Sequence, residues 1–461
     1  MIPLSQKDLG SDHEWEDSLR RFRQFLQIPT VSYQNRDDME EGAFLLFQNT
    51  LKEHYLNSPD VDCFFPDPYQ IIIHWKSSSG NTNKPILLLA HYDVVPVKEE
   101  LWIHKPFGAD LVEGYIWGRG SIDTKITLIG LMEALKNSQE NGLTPNRDVW
   151  FAFAGDEETK SIAAKSMAAW FKKRNIYFEW ILDEGGAIVH DVIPGLSEPL
   201  ALVGVAEKGN VNWLITSESK GGHSSSPPPE SALGQVSKAL SLLEKKKRYT
   251  KLPFAVRDFF YYSSSLFPFP QNVIMANLWL FQPLLVKILK SRPLTAAQIQ
   301  STIAVTMSGG SSVPNVLPTR AWGIINSRLL PGDTINKGLA RYRKILKDTG
   351  VYIDIQDPEE GCDPVYSDDR NGPAYKELEL FHRSLEGLVD AAGVVPYLNM
   401  TTTDSKYYKD LGDRVYRFSP YLLSSEELDL MHAPNERLSV DNYKRVVSFY
   451  THLLQEICHE T

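Results

Sequence analysis

Three apolar runs of strand length constrain the fold of this chain, because helical patterns lie between them. The runs cover residues 86–90, 149–154 and 180–182, and the helical patterns cover residues 127–136 and 162–173. Strands that alternate with helices in this way are typical of an α/β fold with helices on both faces of the sheet. The sequence therefore predicts a mixed, mostly parallel sheet. In such sheets, functional side chains gather at the carboxyl ends of the strands.

The pattern changes after Lys208 and predicts a second domain inserted into the first. Predicted strands and helices follow one another in the order β-α-β-β-α-β, which is typical of a ferredoxin-like two-layer α+β domain. They cover residues 210–217, 231–245, 303–307, 321–329, 335–348 and 351–355. The α/β pattern returns after about residue 370 and ends in a helix over 440–457. We predict a first domain formed by residues 1–207 and 358–461, with residues 208–357 inserted.

Composition excludes some classes of partner. The formal net charge of −10 at pH 7 argues against a surface that binds nucleic acid. Cys63, Cys362 and Cys458 are far apart and odd in number, so we expect free thiols in a reducing compartment. The N-terminus lacks the apolar segment of a signal peptide, and the apolar stretch 278–289 is too short to span a membrane. These features predict a soluble cytoplasmic protein with no membrane partner.

The residues that follow the strands match the ligand types of a metal site. Histidine and carboxylate are ligands for zinc, and three adjacent acids at the end of a buried strand need a cation to offset their repulsion. Two metal ions about 3.5–4 Å apart would provide that charge and would support hydrolysis. A glycine-rich turn and a late loop add one acid and one histidine. The candidates are His91, Asp93, Asp123, Asp156, Glu157, Glu158, Asp183, Glu184 and His432.

Seven motifs, in order along nearly the whole chain, resemble those of the dinuclear zinc exopeptidases that include aminoacylase, carnosinase and carboxypeptidase S. The residues around them are most similar to the carboxypeptidase S and N-acyl-amino-acid hydrolase branch. The resemblance implies a zinc-exopeptidase catalytic domain and an inserted lid that can also serve dimerisation. The motifs are LLLAHYDVVPV, GYIWGRGSIDTK, FAGDEET, LDEGG, GGHSSSPP, NVLPTRAWGIINSRLLPG and MHAPNERL.

The resemblance also implies a ligand set for two divalent ions, with zinc favoured and cobalt or manganese as alternatives. Asp123 would bridge both ions. One site would be completed by His91 and Asp183, and the other by Glu158 and His432. At the first of these sites, Glu184 is the alternative to Asp183.

Further roles follow from the same resemblance. Glu157 would be the general base, and Asp93 would fix the imidazole of His91. Asp156 is interpreted as a turn or capping acid. Thr124 stands where the family often has an acid, and the peptide bond that precedes it is expected to be cis.

The inserted lid supplies the remaining candidates. His223 would stabilise the oxyanion, and in dimeric members of the family the equivalent residue reaches into the site of the partner chain. Asn315 and Arg328 would hold the substrate, because the planar guanidinium can bind a carboxylate at two points. The aromatic segment 250–300 has three interpretations: it extends the substrate pocket, it replaces a dimer contact, or it is ordinary lid core.

The leading hypothesis is a carboxypeptidase or dipeptidase that cleaves short peptides next to a free carboxylate, with a metal-bridging water and Glu157 as base. The alternative is an N-acyl-amino-acid deacylase. A binding protein that holds metal without turnover is a hypothesis from another class, but such a protein needs no unligated base. A nucleotide-dependent oxidoreductase is remote, because the turn at residues 118–120 lacks the third glycine of the dinucleotide fingerprint. The expected partners are a small peptide or N-acyl amino acid and a second copy of the chain.

Overall fold

A computed structural model describes residues 3–78, 82–193, 195–196, 198–246, 248–366 and 375–459. The strands are β1 (Val61–Phe64), β2 (Gln70–Trp75), β3 (Ile86–His91), β4 (Asp110–Val112), β5 (Tyr115–Trp117), β6 (Val149–Ala154), β7 (Phe178–Asp183), β8 (Ile188–Val189), β9 (Leu200–Glu207), β10 (Gly209–Glu218), β11 (Gly222–His223), β12 (Thr302–Gly309), β13 (Val316–Leu317), β14 (Arg320–Leu329), β15 (Tyr352–Ile355), β16 (Val365–Tyr366), β17 (Val394–Asn399), β18 (Gly412–Arg417), β19 (Leu422–Leu423) and β20 (Arg437–Ser439). The helices are α1 (Glu16–Leu26), α2 (Glu41–Tyr55), α3 (Lys125–Glu140), α4 (Ile162–Lys173), α5 (Ala232–Lys245), α6 (Phe254–Ser263), α7 (Gln271–Ala276), α8 (Leu278–Leu289), α9 (Pro293–Gln298), α10 (Ile335–Leu346), α11 (Lys376–Leu385), α12 (Ser405–Tyr408), α13 (Ser425–Leu428) and α14 (Val440–His459).

The larger sheet is mixed, and its centre is parallel. In the described part of the chain it has eleven strands, in the order β1-β2-β6-β3-β7-β18-β9-β8-β19, with β16 and β17 also paired to β9. The four neighbours β6, β3, β7 and β18 run parallel, whereas β1 with β2 and β8 with β9 are antiparallel. The predicted α/β fold with a large mixed sheet is confirmed.

Apolar sequence on both faces explains the central position of β3 and β6. Every residue of these two strands is buried, which is typical of parallel strands covered by helices on both sides. Helices α3 and α14 pack closely where Gly130 faces Val446 and Tyr450. A Cβ atom at residue 130 would lie 2.7 Å from Val446 Cγ1, so the close approach requires glycine.

The smaller sheet has the order β12-β14-β10-β15, and its pairings are antiparallel. Together with α5 and α10, these strands follow one another as β-α-β-β-α-β, so the predicted ferredoxin-like unit is confirmed. It has a core of its own that includes Trp213, Val236, Ile325 and Tyr342. The boundaries 1–207, 208–357 and 358–461 stay predictions.

Helices α6 to α9 do not belong to the core of this smaller unit. Phe259, Phe260, Leu285 and Leu289 are buried in the same apolar cluster as the larger sheet, and α6 lies against β17. The interpretation of segment 250–300 as ordinary lid core is therefore wrong. The sequence shows that these helices have apolar faces, but it does not show which of two cores those faces meet.

Cys63, Cys362 and Cys458 are free thiols, as predicted. Among the described helices, none combines the length and apolar character that crossing a membrane requires. The cytoplasmic location stays a prediction.

Candidate active site

Three predicted metal ligands come together at the carboxyl ends of the central strands. Ligand atoms of His91, Asp123 and Glu158 all lie within 4.8 Å of one another. His91 is the last residue of β3 and pairs with Ala154, the last residue of β6, because the two strands are parallel and in register. Glu158 follows β6, and Asp123 lies in the turn before α3. The predicted meeting of these strand ends is thus present in the fold.

Asp123 lies between two imidazoles. Its Oδ1 atom is 3.3 Å from Nε2 of His91, and its Oδ2 atom is 2.9 Å from Nε2 of His432. The same nitrogen of His432 is 3.0 Å from Oε1 of Glu158. One carboxylate with each oxygen facing a different histidine is the arrangement that a bridging ligand needs. The peptide bond between Asp123 and Thr124 is cis, as expected.

Asp93 contacts residues in and next to the metal-ligand group, which consists of His91, Asp123, Glu158 and His432. It is fully buried, and its two carboxylate oxygens accept the backbone N–H groups of Glu157, at 3.0 Å, and Glu158, at 3.1 Å. Its Oδ1 atom is also 3.3 Å from Nδ1 of His91. The Glu157 carboxylate is 4.0 Å from Nε2 of His91. Asp93 therefore orients a histidine and both adjacent acids at once.

Asp183 and Glu184 have different surroundings. Both oxygens of Asp183 accept backbone N–H groups, from Glu184 at 2.9 Å and from Ser405 at 2.8 Å. The Glu184 carboxylate interacts instead with the charges of Asp123, His91 and Glu158. Burial, together with these neighbouring carboxylates, raises its pKa well above the usual value. The charges of the metal-ligand group therefore act on Glu184, whereas each oxygen of Asp183 accepts a backbone N–H.

Carboxylates outnumber basic side chains in and around the metal-ligand group, and a bound cation would offset this excess of negative charge. Burial raises the pKa of Glu157 well above its usual value, and Asp404, Glu158 and Glu184 add to this effect while His91 opposes it. The contacts with Asp123 and Glu158 raise the pKa of His432 to about 10.

Oε1 of Glu158 is buried and accepts no hydrogen bond of suitable geometry. Nitrogen and oxygen donors that converge around such an atom fit a divalent metal ion. A bound cation would replace the protons that otherwise offset the acids.

Asp156, the first of the three adjacent acids, points away from this group. Its Oδ2 atom accepts a hydrogen bond of 2.6 Å from Nη2 of Arg36. Its carboxylate also accepts the backbone N–H groups of Ile162 and Ala163 at the start of α4. The interpretation of Asp156 as a capping acid is confirmed, and Arg36 offsets its charge.

Sequence reasoning missed the contact that joins the Asp123 turn to the His432 loop. Glu436 is fully buried and accepts hydrogen bonds from Nη1 of Arg119, at 2.6 Å, and from the backbone N–H groups of Ile122, at 2.7 Å, and Asp123, at 3.2 Å. Arg119 also donates to the carbonyl oxygen of His432 at 3.1 Å. Arg119 lies in the motif GYIWGRGSIDTK and Glu436 in the motif MHAPNERL, but nothing in the sequence indicates that the two side chains pair.

A second buried ion pair supports Asp183 and was also missed. Arg417 and Glu207 are fully buried, and Nε of Arg417 is 2.8 Å from the Glu207 carboxylate. Arg417 donates to the hydroxyl of Ser405 at 3.0 Å, and the backbone N–H of Ser405 donates to Asp183. Glu207 also accepts the backbone N–H of Thr403 at 2.7 Å. This pair holds the loop that contacts Asp183.

The predicted lid residues lie apart from the metal-ligand group. His223 is exposed on β11, which pairs with the distant strand β13, and its ring contacts the hydroxyl of Ser225 at 2.8 Å. Asn315 is exposed, and its carbonyl oxygen accepts the backbone N–H of Ser224. Arg328 lies on β14, half-buried, and its Nη1 atom is buried without a hydrogen-bond partner. Within the described residues, no hydrogen bond or ion pair connects these three side chains to the metal-ligand group.

Comparison with known proteins gives matches over almost the whole chain. Residues 87–456 match peptidase family M20/M25/M40. The chain is 33% identical over 455 residues to a probable carboxypeptidase S-like 2 of Dictyostelium discoideum, covering 95% of this chain and 84% of that protein. It is 32% identical over 443 residues to the N-fatty-acyl-amino acid synthase/hydrolase PM20D1 of Xenopus tropicalis, covering 93% and 84%. The fold is similar to that of an M20 family metallo-carboxypeptidase, Sso-CP2 of Sulfolobus solfataricus, with a TM-score of 0.67, 18% identity and coverage of 96% and 99%.

Proposed function

Because the chain belongs to peptidase family M20/M25/M40, we propose that it cleaves an amide bond next to a free carboxylate. Membership confirms the resemblance to the dinuclear metal exopeptidases, and the protein is an enzyme of the metallopeptidase and amidohydrolase type. One observation carries the proposal: Asp123 lies between His91 and His432, with the carboxylate of Glu157 4.0 Å from His91.

Two divalent ions are the proposed cofactors. The proposed ligands are His91, Asp123, Glu158 and His432. As the remaining carboxylate ligand we favour Glu184 over Asp183, since the oxygens of Asp183 already accept backbone N–H groups. Zinc suits this mixture of nitrogen and oxygen donors, and cobalt or manganese would also be accepted. When bound, such ions polarise a carbonyl group and lower the pKa of a water.

Glu157 is the proposed general base. Its side chain is largely buried, its carboxylate lies 4.0 Å from Nε2 of His91, and a carboxylate in this position can take a proton from an attacking water. Asp93 would hold it in place through the backbone N–H of Glu157 while also orienting His91. In this proposal, Glu157 accepts the proton of the attacking water and delivers it to the leaving amine.

Arg328 is the proposed anchor for the substrate carboxylate. Its unpaired, buried Nη1 atom leaves donor capacity for an anion, and burial lowers the pKa of its guanidinium without removing the charge. Asn315 would assist it. His223 would stabilise the oxyanion, and its exposed position on β11 fits delivery to the site of a second chain. We therefore propose a homodimer that forms through the smaller domain.

Short peptides are the leading substrate class, and N-acyl amino acids are the second. The first is favoured by the carboxypeptidase S-like relative, and the second by the N-fatty-acyl-amino acid synthase/hydrolase relative at similar identity. Both classes place a carboxylate one residue from the scissile amide, so one site chemistry serves either. Holding that carboxylate positions the carbonyl for attack and lowers the barrier.

A turnover screen tests this proposal. Zinc-loaded protein should be compared on dipeptides and N-acyl amino acids, each as the free acid and as the C-terminal amide. We expect cleavage of free acids in one class or both, and a large loss of kcat/KM on amidation, because the guanidinium then lacks its anion. Equal rates on free and amidated substrates would contradict the carboxylate anchor and leave a general metallo-amidase.

A further inference from the structure

Helix α8 has two apolar faces, but only one of them packs against the protein. Leu278, Leu285 and Leu289 are buried in the larger core. Leu280, Leu284 and Ile288 recur every four residues on a different side of the helix, and all three are exposed. An ordinary surface helix has polar side chains at such positions. This helix therefore presents an apolar stripe to solvent.

Exposed aromatic and aliphatic residues extend this stripe into the loop before α7 and into α7 itself. Phe269 and Trp279 are each 82% exposed, and Val273 of α7 is also exposed. Exposed apolar clusters of this kind mark interaction sites on soluble proteins. We use the term apolar patch for Phe269, Val273, Trp279, Leu280, Leu284 and Ile288.

The segment that carries the apolar patch has charges of one sign only. Residues 259–332 contain no aspartate or glutamate, although the whole chain has a net charge of −10. Lys287, Lys290 and Arg292 are exposed at the end of α8, and none of them forms an ion pair with a described carboxylate. The patch therefore lies on a segment that carries cations and no anions.

We propose that the apolar patch binds the surface of a bilayer that contains anionic phospholipids. Apolar side chains would enter the boundary between headgroups and acyl chains, with Trp279 and Phe269 at the depth that aromatic rings prefer. The three cations would contact lipid phosphates, and the absence of carboxylates from residues 259–332 would lessen the repulsion that this acidic chain otherwise causes.

A lipid surface fits this patch better than a protein partner does. Protein–protein interfaces are depleted in lysine, and two of the three cations here are lysines. Binding to the surface of a bilayer does not require a helix that spans the membrane, so the 12 residues of α8 are sufficient. The proposal departs from the expectation that the protein has no membrane partner, and it does not depend on the proposed enzymatic function.

Vesicle sedimentation of the full-length protein tests the proposal. We expect the wild type to bind vesicles of phosphatidylcholine with phosphatidylserine and to bind pure phosphatidylcholine vesicles much more weakly. The double variant Phe269→Ala/Trp279→Ala should lose at least tenfold in partition coefficient. In Lys287→Gln/Lys290→Gln/Arg292→Gln, each lost cation should reduce binding to anionic vesicles about fivefold.

A matched control uses exposed aromatic residues outside the patch. Tyr177→Ala/Tyr352→Ala removes two exposed rings, from the loop before β7 and from β15, and should bind like the wild type. Circular dichroism should show the same melting temperature for all variants, since every substituted side chain is exposed.

Two results would overturn the proposal. One is a wild type that does not bind anionic vesicles, or patch variants that bind as well as the control. The other is a lipid-free dimer, detected by sedimentation velocity, that Phe269→Ala/Trp279→Ala dissociates while vesicle binding is absent. That result would assign the apolar patch to a second copy of the chain.

Discussion

The side chains at the ends of β3 and β6 are largely buried and held by several hydrogen bonds, whereas those around the paired strands β11 and β13 are exposed and held by few. Asp93 accepts two backbone N–H groups and contacts His91, and Glu436 accepts four hydrogen bonds. Among the described residues, the side chain of His223 is hydrogen-bonded only to Ser225. The metal-ligand group is thus formed by residues of a single chain. In the proposed mechanism, the lid residues need a further contact, from substrate or from a second chain, before they can act on the same bond.

The largest expected effect is on kcat, and it distinguishes Glu157, the proposed base, from its neighbour Glu158, a proposed metal ligand. Glu157→Gln keeps the size of the side chain but removes the proton acceptor, so kcat should fall by roughly 10²–10⁴-fold while metal content persists. Glu158→Gln should instead lower metal occupancy. Metal analysis and steady-state kinetics on both variants check this, and identical behaviour of the two would refute the division of roles.

Substitution of Arg328 tests the other side of the comparison. Arg328→Ala removes a charged hydrogen bond to the substrate, and kcat/KM for free acids should fall about 10–100-fold. Arg328→Lys should recover little, because it keeps the charge but loses the two-point fork. Metal content should stay at the wild-type value in both variants, since Arg328 lies outside the metal-ligand group. Loss of metal would show that the two regions are not independent.

A smaller effect is expected from Glu436, which contacts the backbone N–H of Asp123 and not its carboxylate. Glu436→Gln removes the charge that pairs with Arg119 and weakens the bond to the turn of Asp123, so metal affinity should fall about tenfold. Competition with a chelator measures it. Glu426→Gln is the control, because that carboxylate is exposed and lies in the same part of the chain. Equal affinities in the two variants would show that the Glu436 contacts are merely structural.

Over a single pH unit, the change in metal affinity should be no larger than the effect of the Glu436 substitution. His432 has its pKa raised from 6.5 to about 10, so it carries a proton at neutral pH in the metal-free protein. Metal binding requires the neutral imidazole and displaces that proton, so affinity should rise with pH, by up to about tenfold per unit, until pH approaches that pKa. Calorimetry at pH 8 in buffers of different ionisation enthalpy measures the released proton. No release at pH 8 would contradict the assignment.

The sequence predicted those parts of the fold that have strong local patterns. Both β6 (Val149–Ala154) and α4 (Ile162–Lys173) begin and end where the sequence predicts, because one is wholly apolar and the other is clearly periodic. Strands β9, β17 and β18 were not predicted, since short apolar runs with little alternation do not distinguish strand from buried helix. Nor could the sequence predict the pairing of Glu207 with Arg417, which depends on two distant segments meeting in the folded sheet.

At the candidate site, the motifs identified residues but left their orientation open. His91, Asp123, Glu158 and His432 meet as the resemblance implied, although their roles as metal ligands stay predictions. The sequence leaves the choice between Asp183 and Glu184 open, because the backbone hydrogen bonds to Asp183 that bear on it are not visible there. The two substrate classes stay open for a similar reason, since both present the same carboxylate.

Metal content, measured together with activity, tests the central claim most directly. Purified protein should contain about two divalent ions per chain, and removal of both by a chelator should abolish hydrolysis. Activity should return with zinc, cobalt or manganese, and the variant Asp123→Asn should regain neither metal nor activity. Full hydrolysis of a free-acid substrate by metal-free protein would contradict the account.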